Sequence, residues 1–283
     1  MLPALALVSL VWGVNWVVMK AALADIGALQ FAAARLWLAS LALFGCIFAL
    51  KRPLRVARPW AVAITGLFQV AITTALTLWA LAAGSAGKNS VLCYTMPFWV
   101  VLIAWPLLGE RPSRRQQLAL ALAGAGLALL VAGGVSGTLA DLAATGAGVS
   151  WALGVVLTKR LQVAQATDPL AFSAWQSLVG AVAVGLLALT FPAAPAQWSA
   201  KVVFALAYNA LLVYGLTWVW WFWILQRLDA GIASLGTLLV PVVGVLAGVA
   251  ILGERPTPAE WAGMALVVAA LLMTAQISAR GGR

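Results

Sequence analysis

Apolar length is the strongest constraint on this chain. Ten continuous stretches, 3–22, 28–50, 60–83, 87–108, 116–135, 141–158, 169–191, 202–225, 230–252 and 258–278, carry few charges. Each is at or near the roughly 20 residues that a helix needs to cross a bilayer. The runs are continuous and do not alternate, which favours helices over a β-barrel, because a helix satisfies its backbone polar groups within itself. Charged residues make up 8% of the 283 positions against a hydrophobic share of 64%, far below the roughly 25% charge of a soluble domain. The connectors are short, and none holds a soluble domain. The expectation is an all-α membrane protein of ten transmembrane helices, solvated by the lipid bilayer, whose first span is retained and not cleaved as a signal peptide.

The net charge of +10 is explained by its placement. With the N-terminus inside, the cytoplasmic loops hold Lys51, Arg52, Arg55, Arg58, Arg111, Arg114, Arg115, Lys159, Arg160 and Arg227, and the tail adds Arg280 and Arg283. The opposite side keeps Lys201 and Arg255, with Lys20 and Lys88 near span ends. This positive-inside bias predicts a multi-pass protein of the cell inner membrane with both termini cytoplasmic. The basic residues set orientation and imply no nucleic-acid partner.

The pentapeptide Leu-Gly-Glu-Arg-Pro occurs at 108–112 and again at 252–256, an offset of 144. The same offset aligns Thr73 with Thr217, Trp79 with Trp223, Leu81 with Leu225, Ser90 with Ser234 and Pro97 with Pro241. Earlier in each half the offset is 139, matching Trp12 to Trp151 and Lys20 to Lys159. A five-helix unit, residues 1–138, is thus repeated over 139–283. Five is odd, so the second copy must cross in the opposite sense. Two inverted five-helix repeats around a central cavity are a recurring transporter architecture, with substrate held near the midplane. The pentapeptide itself reads as structural: glycine leaves one helix, proline starts the next at its first turn, and the Glu and Arg pair or cap neighbouring helices.

The Trp-Gly-x-Asn-Trp of residues 12–16, the prolines of spans four and nine and the repeated Leu-Gly-Glu-Arg-Pro resemble the EamA-type branch of the drug/metabolite transporter superfamily, over essentially the whole chain. Within it, the chain is most similar to the YddG-type exporters of aromatic and other neutral amino acids. That resemblance implies export from the cytoplasm through a central cavity by alternating access.

Polar residues inside spans are costly and face the bundle interior or a cavity. Trp12, Asn15, Trp16 and Met19 share one face of the first helix. Thr65, Gln69, Thr73 and Thr77 form a stripe at every fourth position of the third span, with Asn209 and Thr217 on the related face of the eighth. Substrate is expected between spans one, three, four, six and eight, touching Trp12, Asn15, Trp16, Gln69, Thr73, Lys88, Tyr94, Trp151, Tyr208 and Tyr214. Arg35, Asn89, Trp175, Gln176 and Asn209 are further candidates, and Trp218 belongs to the same tryptophan-rich span. Arg35 and Lys88 either snorkel to the interface or receive an α-carboxylate. Indole and phenol rings stack on aromatic side chains and face an α-ammonium. Trp60, Trp198 and Trp261 read as interfacial belt residues.

The acids Asp25, Glu110, Asp141, Asp168, Asp229, Glu254 and Glu260 all lie in loops or near span ends, and there is no histidine. A proton-driven cation pump needs a buried carboxylate, so the expectation is a uniporter or facilitator. Cys46 and Cys93 sit in separate spans without a histidine, which argues against a thiol enzyme, a bound metal or a cofactor. They read as small core residues. No filter loop or charged ring suggests a channel, and no obligatory protein partner is implied. The alternative cargo is another small metabolite, such as a sugar phosphate, nucleotide sugar or drug-like compound; the phosphorylated ones would need more inward cations than Arg35 and Lys88.

Overall fold

A computed structural model describes residues 2–131, 138–164, 167–191, 194–252 and 257–281, and all regular structure among them is helical. The second Gly-Glu-Arg-Pro, residues 253–256, and Arg283 lie outside the described residues, as do the side chains of Glu260 and Arg280. The first half runs α1 (Leu2–Ala22), α2 (Ala28–Ala49), α3 (Pro59–Gly66), a π-helical segment (Leu67–Ile72), α4 (Thr73–Ala83), α5 (Ala86–Cys93), α6 (Met96–Leu108) and α7 (Arg114–Val131). The second runs α8 (Leu139–Ala164), α9 (Pro169–Thr190), α10 (Ala200–Ala207), a second π-helical segment (Tyr208–Thr217), α11 (Trp218–Leu225), α12 (Ala230–Gly236), α13 (Leu239–Leu252) and α14 (Pro258–Gly281).

Among the described residues, eight stretches are long and apolar enough to cross a membrane, and they match eight of the ten expected spans. The fifth and tenth differ. α7 opens on Arg114-Arg115-Gln116-Gln117, which dilutes its apolar content, and the apolar part of α14 is only Trp261–Met273. These two helices pack against each other. A methyl group on Gly126 would lie 2.7 Å from the Gly263 carbonyl oxygen, and one on Gly263 would lie 2.6 Å from that of Gly126. Glycine at both positions lets the two backbones touch, the close approach that small residues permit.

Local contacts recur between the halves at the offsets seen in the sequence. Lys20 Nζ donates to the carbonyls of Leu81 (2.9 Å) and Gly84 (2.8 Å) at the end of α4. Lys159 Nζ donates to Leu225 and Leu228, both at 2.8 Å, at the end of α11. Each ammonium satisfies carbonyls that the helix terminus leaves without a partner. The hydroxyl of Thr73 donates to Phe68 O at 2.8 Å, and that of Thr217 to Leu212 O at 3.0 Å. Both bonds reach five residues back, to carbonyls of the π-helical segments.

The first Gly-Glu-Arg-Pro acts at a helix junction. Gly109 ends α6 at φ +73°, a conformation that glycine adopts without penalty. Pro112 is not in the first turn of the next helix, as expected, but precedes it. Ser113 and Gln116 form the reciprocal box that starts α7, Ser113 N donating to Gln116 Oε1 (2.7 Å) and Gln116 N to Ser113 Oγ (3.3 Å). Glu110 reaches across to the start of α12 and accepts from the amides of Ala230 (3.2 Å) and Gly231 (3.4 Å). Burial raises its carboxyl above the ordinary value, while these amides and Lys159 pull the other way.

Candidate substrate cavity

Five of the expected spans, joined by α2, surround a central cavity of about 80 Å³, room for several waters. From α1 it receives Trp12, Asn15, Trp16 and Met19, the face anticipated from regular helical spacing. From α3–α4 the expected fourfold stripe is altered. The π-helical turn inserts extra backbone, so Thr74 joins Gln69, Thr73 and Thr77 on the wall. Thr65 falls below it, and its hydroxyl accepts from Gln176 Nε2 at 2.8 Å.

Behind the wall, buried amides hold one another. Gln69 Oε1 accepts from Thr158 Oγ1 (3.0 Å) and Gln176 Nε2 (3.4 Å). α8 approaches closely enough that a methyl on Gly154 would lie 2.4 Å from Gln69 Cβ, so glycine there makes room for the amide. Asn209 Nδ2 donates to Asn15 Oδ1 at 2.8 Å, and its own Oδ1 accepts from Arg35 at 2.8 Å.

Arg35 lies about two turns into α2 and is only 4% exposed. It does not snorkel. Its guanidinium meets Met19 Sδ (2.8 Å), Asn209 Oδ1 and Thr74 Oγ1 (3.4 Å), and stands 5.4 Å from the centre of the Tyr214 ring.

A cluster of rings forms another part of the wall. Trp12 sits 5.3 Å from Trp151 and 5.6 Å from Trp218, Trp151 stacks on Trp218 at 6.3 Å, and Tyr94 meets Trp151 edge-on at 5.4 Å. The Trp12 indole is fixed by donating to Thr217 Oγ1 at 2.8 Å.

Trp12, Asn15, Trp16, Gln69, Thr73, Tyr94, Trp151, Tyr214 and Arg35 therefore meet at one cavity. Six other expected residues do not line it. Lys88, at the start of α5, pairs with Asp141 at 2.7 Å, since the two helix ends come together. Asn89 braces the α4–α5 corner by donating to Ala80 O and Ser85 O. The Tyr208 hydroxyl is turned onto the backbone of α1, donating to Val11 O at 2.8 Å. Trp175 faces outward, donating to Leu54 O and meeting Phe44 edge-on. Gln176 and Asn209 lie one layer behind the wall. Met19, Thr77 and Trp218, on faces that the sequence marked, and Thr74, Cys93 and Val213, which it did not, complete the lining. Cys93 is a buried core residue, as expected, that also borders the cavity, whereas Cys46 is exposed and not a core residue. Among the described residues the acids sit at helix ends or in connectors, and no group suited to a metal ion occurs.

A model of the EamA-like transporter family matches residues 2–132 and again 138–276. The chain belongs to the EamA-like transporter family. It is a multi-pass membrane transporter, and its family implies a small-molecule cargo. The "Uncharacterized transporter YoaV" of Bacillus subtilis (strain 168) is 30% identical over 262 residues, 88% of each chain. The "Probable amino-acid metabolite efflux pump" of Escherichia coli (strain K12) is 25% identical over 283 residues, 94% of this chain and 91% of that one. A solved crystal structure with 20% identity aligns over 97% of this chain and 98% of its own, at a TM-score of 0.77; that likeness concerns the fold. For this EamA-like transporter, the cavity combines indole rings with amides, hydroxyls and one guanidinium.

Proposed function

We propose that this EamA-like transporter exports neutral amino acids, aromatic and other apolar ones, from the cytoplasm by alternating access. The observation that carries the reading is the mixed lining of the cavity. Trp12, Trp151, Trp218 and Tyr94 form a box for an apolar side chain, and Asn15, Gln69 and Arg35 face it with groups for the polar end. The name of the related efflux pumps supports an amino-acid-like cargo. We place α7 and α14 in the bilayer as the fifth and tenth spans, which makes the chain two inverted five-helix repeats over 1–138 and 139–283. The double family match and the recurring lysine and threonine contacts support this arrangement. With cation-rich loops inside, both termini face the cytoplasm of the inner membrane.

The transporter acts as a facilitator. Coupling to protons needs a titrating group that substrate binding can reach, and four carboxylates are engaged at helix ends or connectors instead: Asp141 with Lys88, Glu110 with the α12 amides, Asp168 with the first amides of α9, and Asp25 with Ser199. Purified protein in liposomes, offered a panel of labelled amino acids, should equilibrate phenylalanine, tryptophan and leucine faster than glutamate or lysine. Initial rates should agree with and without an imposed pH gradient. Ionophore-sensitive accumulation against the substrate gradient would refute the facilitator, and transport of none of the panel would refute the cargo.

A further inference from the structure

The cavity wall carries an imbalance of hydrogen-bonding groups. Four buried polar atoms on it have no partner, Arg35 Nε, Gln69 Nε2, Trp151 Nε1 and Trp218 Nε1, and all four are N–H donors. No orphaned acceptor lines the cavity among the described residues. Among the described residues Arg35 is also a buried cation with no carboxylate partner: it meets a thioether sulfur, an amide oxygen, a hydroxyl and the Tyr214 ring. A thioether is a weak acceptor for a guanidinium, and a charge taken out of water is costly unless it is paired. Asn209 fixes the direction of the guanidinium and is held in turn by Asn15 and the Ala205 carbonyl. The guanidinium is therefore held in one orientation beside these donors.

We infer that the cavity recognises its cargo by a carboxylate received at Arg35, with Gln69 as second donor, and that the α-ammonium of an amino acid is dispensable. A carboxylate is acceptor-only and offers about four lone-pair sites, which suits a wall of surplus donors, and a guanidinium fork fits it in two-bond geometry. The substrate class is an aromatic or apolar monocarboxylate, with the zwitterionic amino acid as one member. Amines of the same shape would bring a second cation beside Arg35 and are excluded. This rests on the proposal that the cavity is the transport site, and it separates from the amino-acid reading because it ranks carboxylate above ammonium.

The test is competition against labelled phenylalanine in proteoliposomes, with direct binding followed by cavity indole fluorescence. The competitors are 3-phenylpropionate, phenylalaninamide and phenethylamine. The expected result is 3-phenylpropionate within about tenfold of phenylalanine, with the amide and the amine weaker by on the order of 10- to 150-fold, the range for losing a charged hydrogen bond. Arg35→Gln should lower affinity for both carboxylates by a similar factor, and Arg35→Lys should recover part of it. Binding of 3-phenylpropionate without phenylalanine would uphold the carboxylate site and overturn the amino-acid reading. Phenethylamine binding as well as phenylalanine would overturn the carboxylate site and leave the aromatic cavity standing. The ligand panel on the unmodified protein decides the matter even if Arg35→Gln does not insert.

Discussion

Where the first half sets Gln69, Thr74 and Thr77 at the cavity, the positions 144 residues on hold Val213, Trp218 and Trp221. Where α1 sets Asn15, the position 139 on is Gly154, whose lack of a side chain admits Gln69. Yet Lys20 and Lys159 make the same pair of bonds to the end of a helix, and Thr73 and Thr217 reach carbonyls at the same spacing. The two halves share the contacts that fix helix ends and π-helical turns, because these are set by backbone geometry. At these paired cavity positions the side chains differ, polar in the first half and apolar or aromatic in the second, while Trp12, Trp16 and Tyr94 of the first half join the rings as well. A strictly symmetric cavity would offer the same surface twice, whereas a molecule with an apolar end and an ionic end needs two different ones.

The comparison breaks first if the halves do not cross the membrane in opposite senses. With Cys46 and Cys93 replaced by alanine, single cysteines at Ser113 and Thr257 should label all-or-none from opposite faces, Ser113 from the cytoplasm. Labelling of both from one face would end the inverted-repeat account. A smaller effect sharpens the shared skeleton. Lys20→Met and Lys159→Met should each destabilise the folded protein by about 1.5–3 kcal/mol, the cost of losing hydrogen bonds from a charged donor, read as thermal unfolding in detergent. Lys159 also has Glu110 and Asp229 nearby, so its loss should be the larger of the two. If only one variant were destabilised, the two contacts would not be equivalent.

The sequence made some of this plain and hid the rest for physical reasons. Apolar length located the helices, and the regular α1 put Trp12, Asn15, Trp16 and Met19 on one face, as found. Thr74 was not legible, because nothing in Leu67–Ile72 announces that the helix widens there; packing decides that. Lys88 looked like a cation for substrate, but its partner Asp141 is far away in the chain and meets it only in the fold. Arg35 was ambiguous from its depth in α2 alone. Only the neighbours from α1, α4 and the second π-helical segment show that it points inward.

A cavity with distinct polar and aromatic groups is the central claim, and equilibrium binding of two ligands to two variants tests it most directly. Phenylalanine and serine share the same polar end and differ in the ring. Asn15→Ala, which removes a polar group of the first half, should weaken both ligands by a similar factor, on the order of 5- to 150-fold for a lost buried hydrogen bond. Trp218→Ala, which removes a ring of the second half, should weaken phenylalanine by about tenfold, through lost ring contact, and leave serine nearly unchanged. Trp261→Ala, on the exposed face of α14, should leave both within about twofold, as for a surface substitution. Should Trp218→Ala and Asn15→Ala each weaken the two ligands in the same ratio, the cavity would have no distinct polar and aromatic groups.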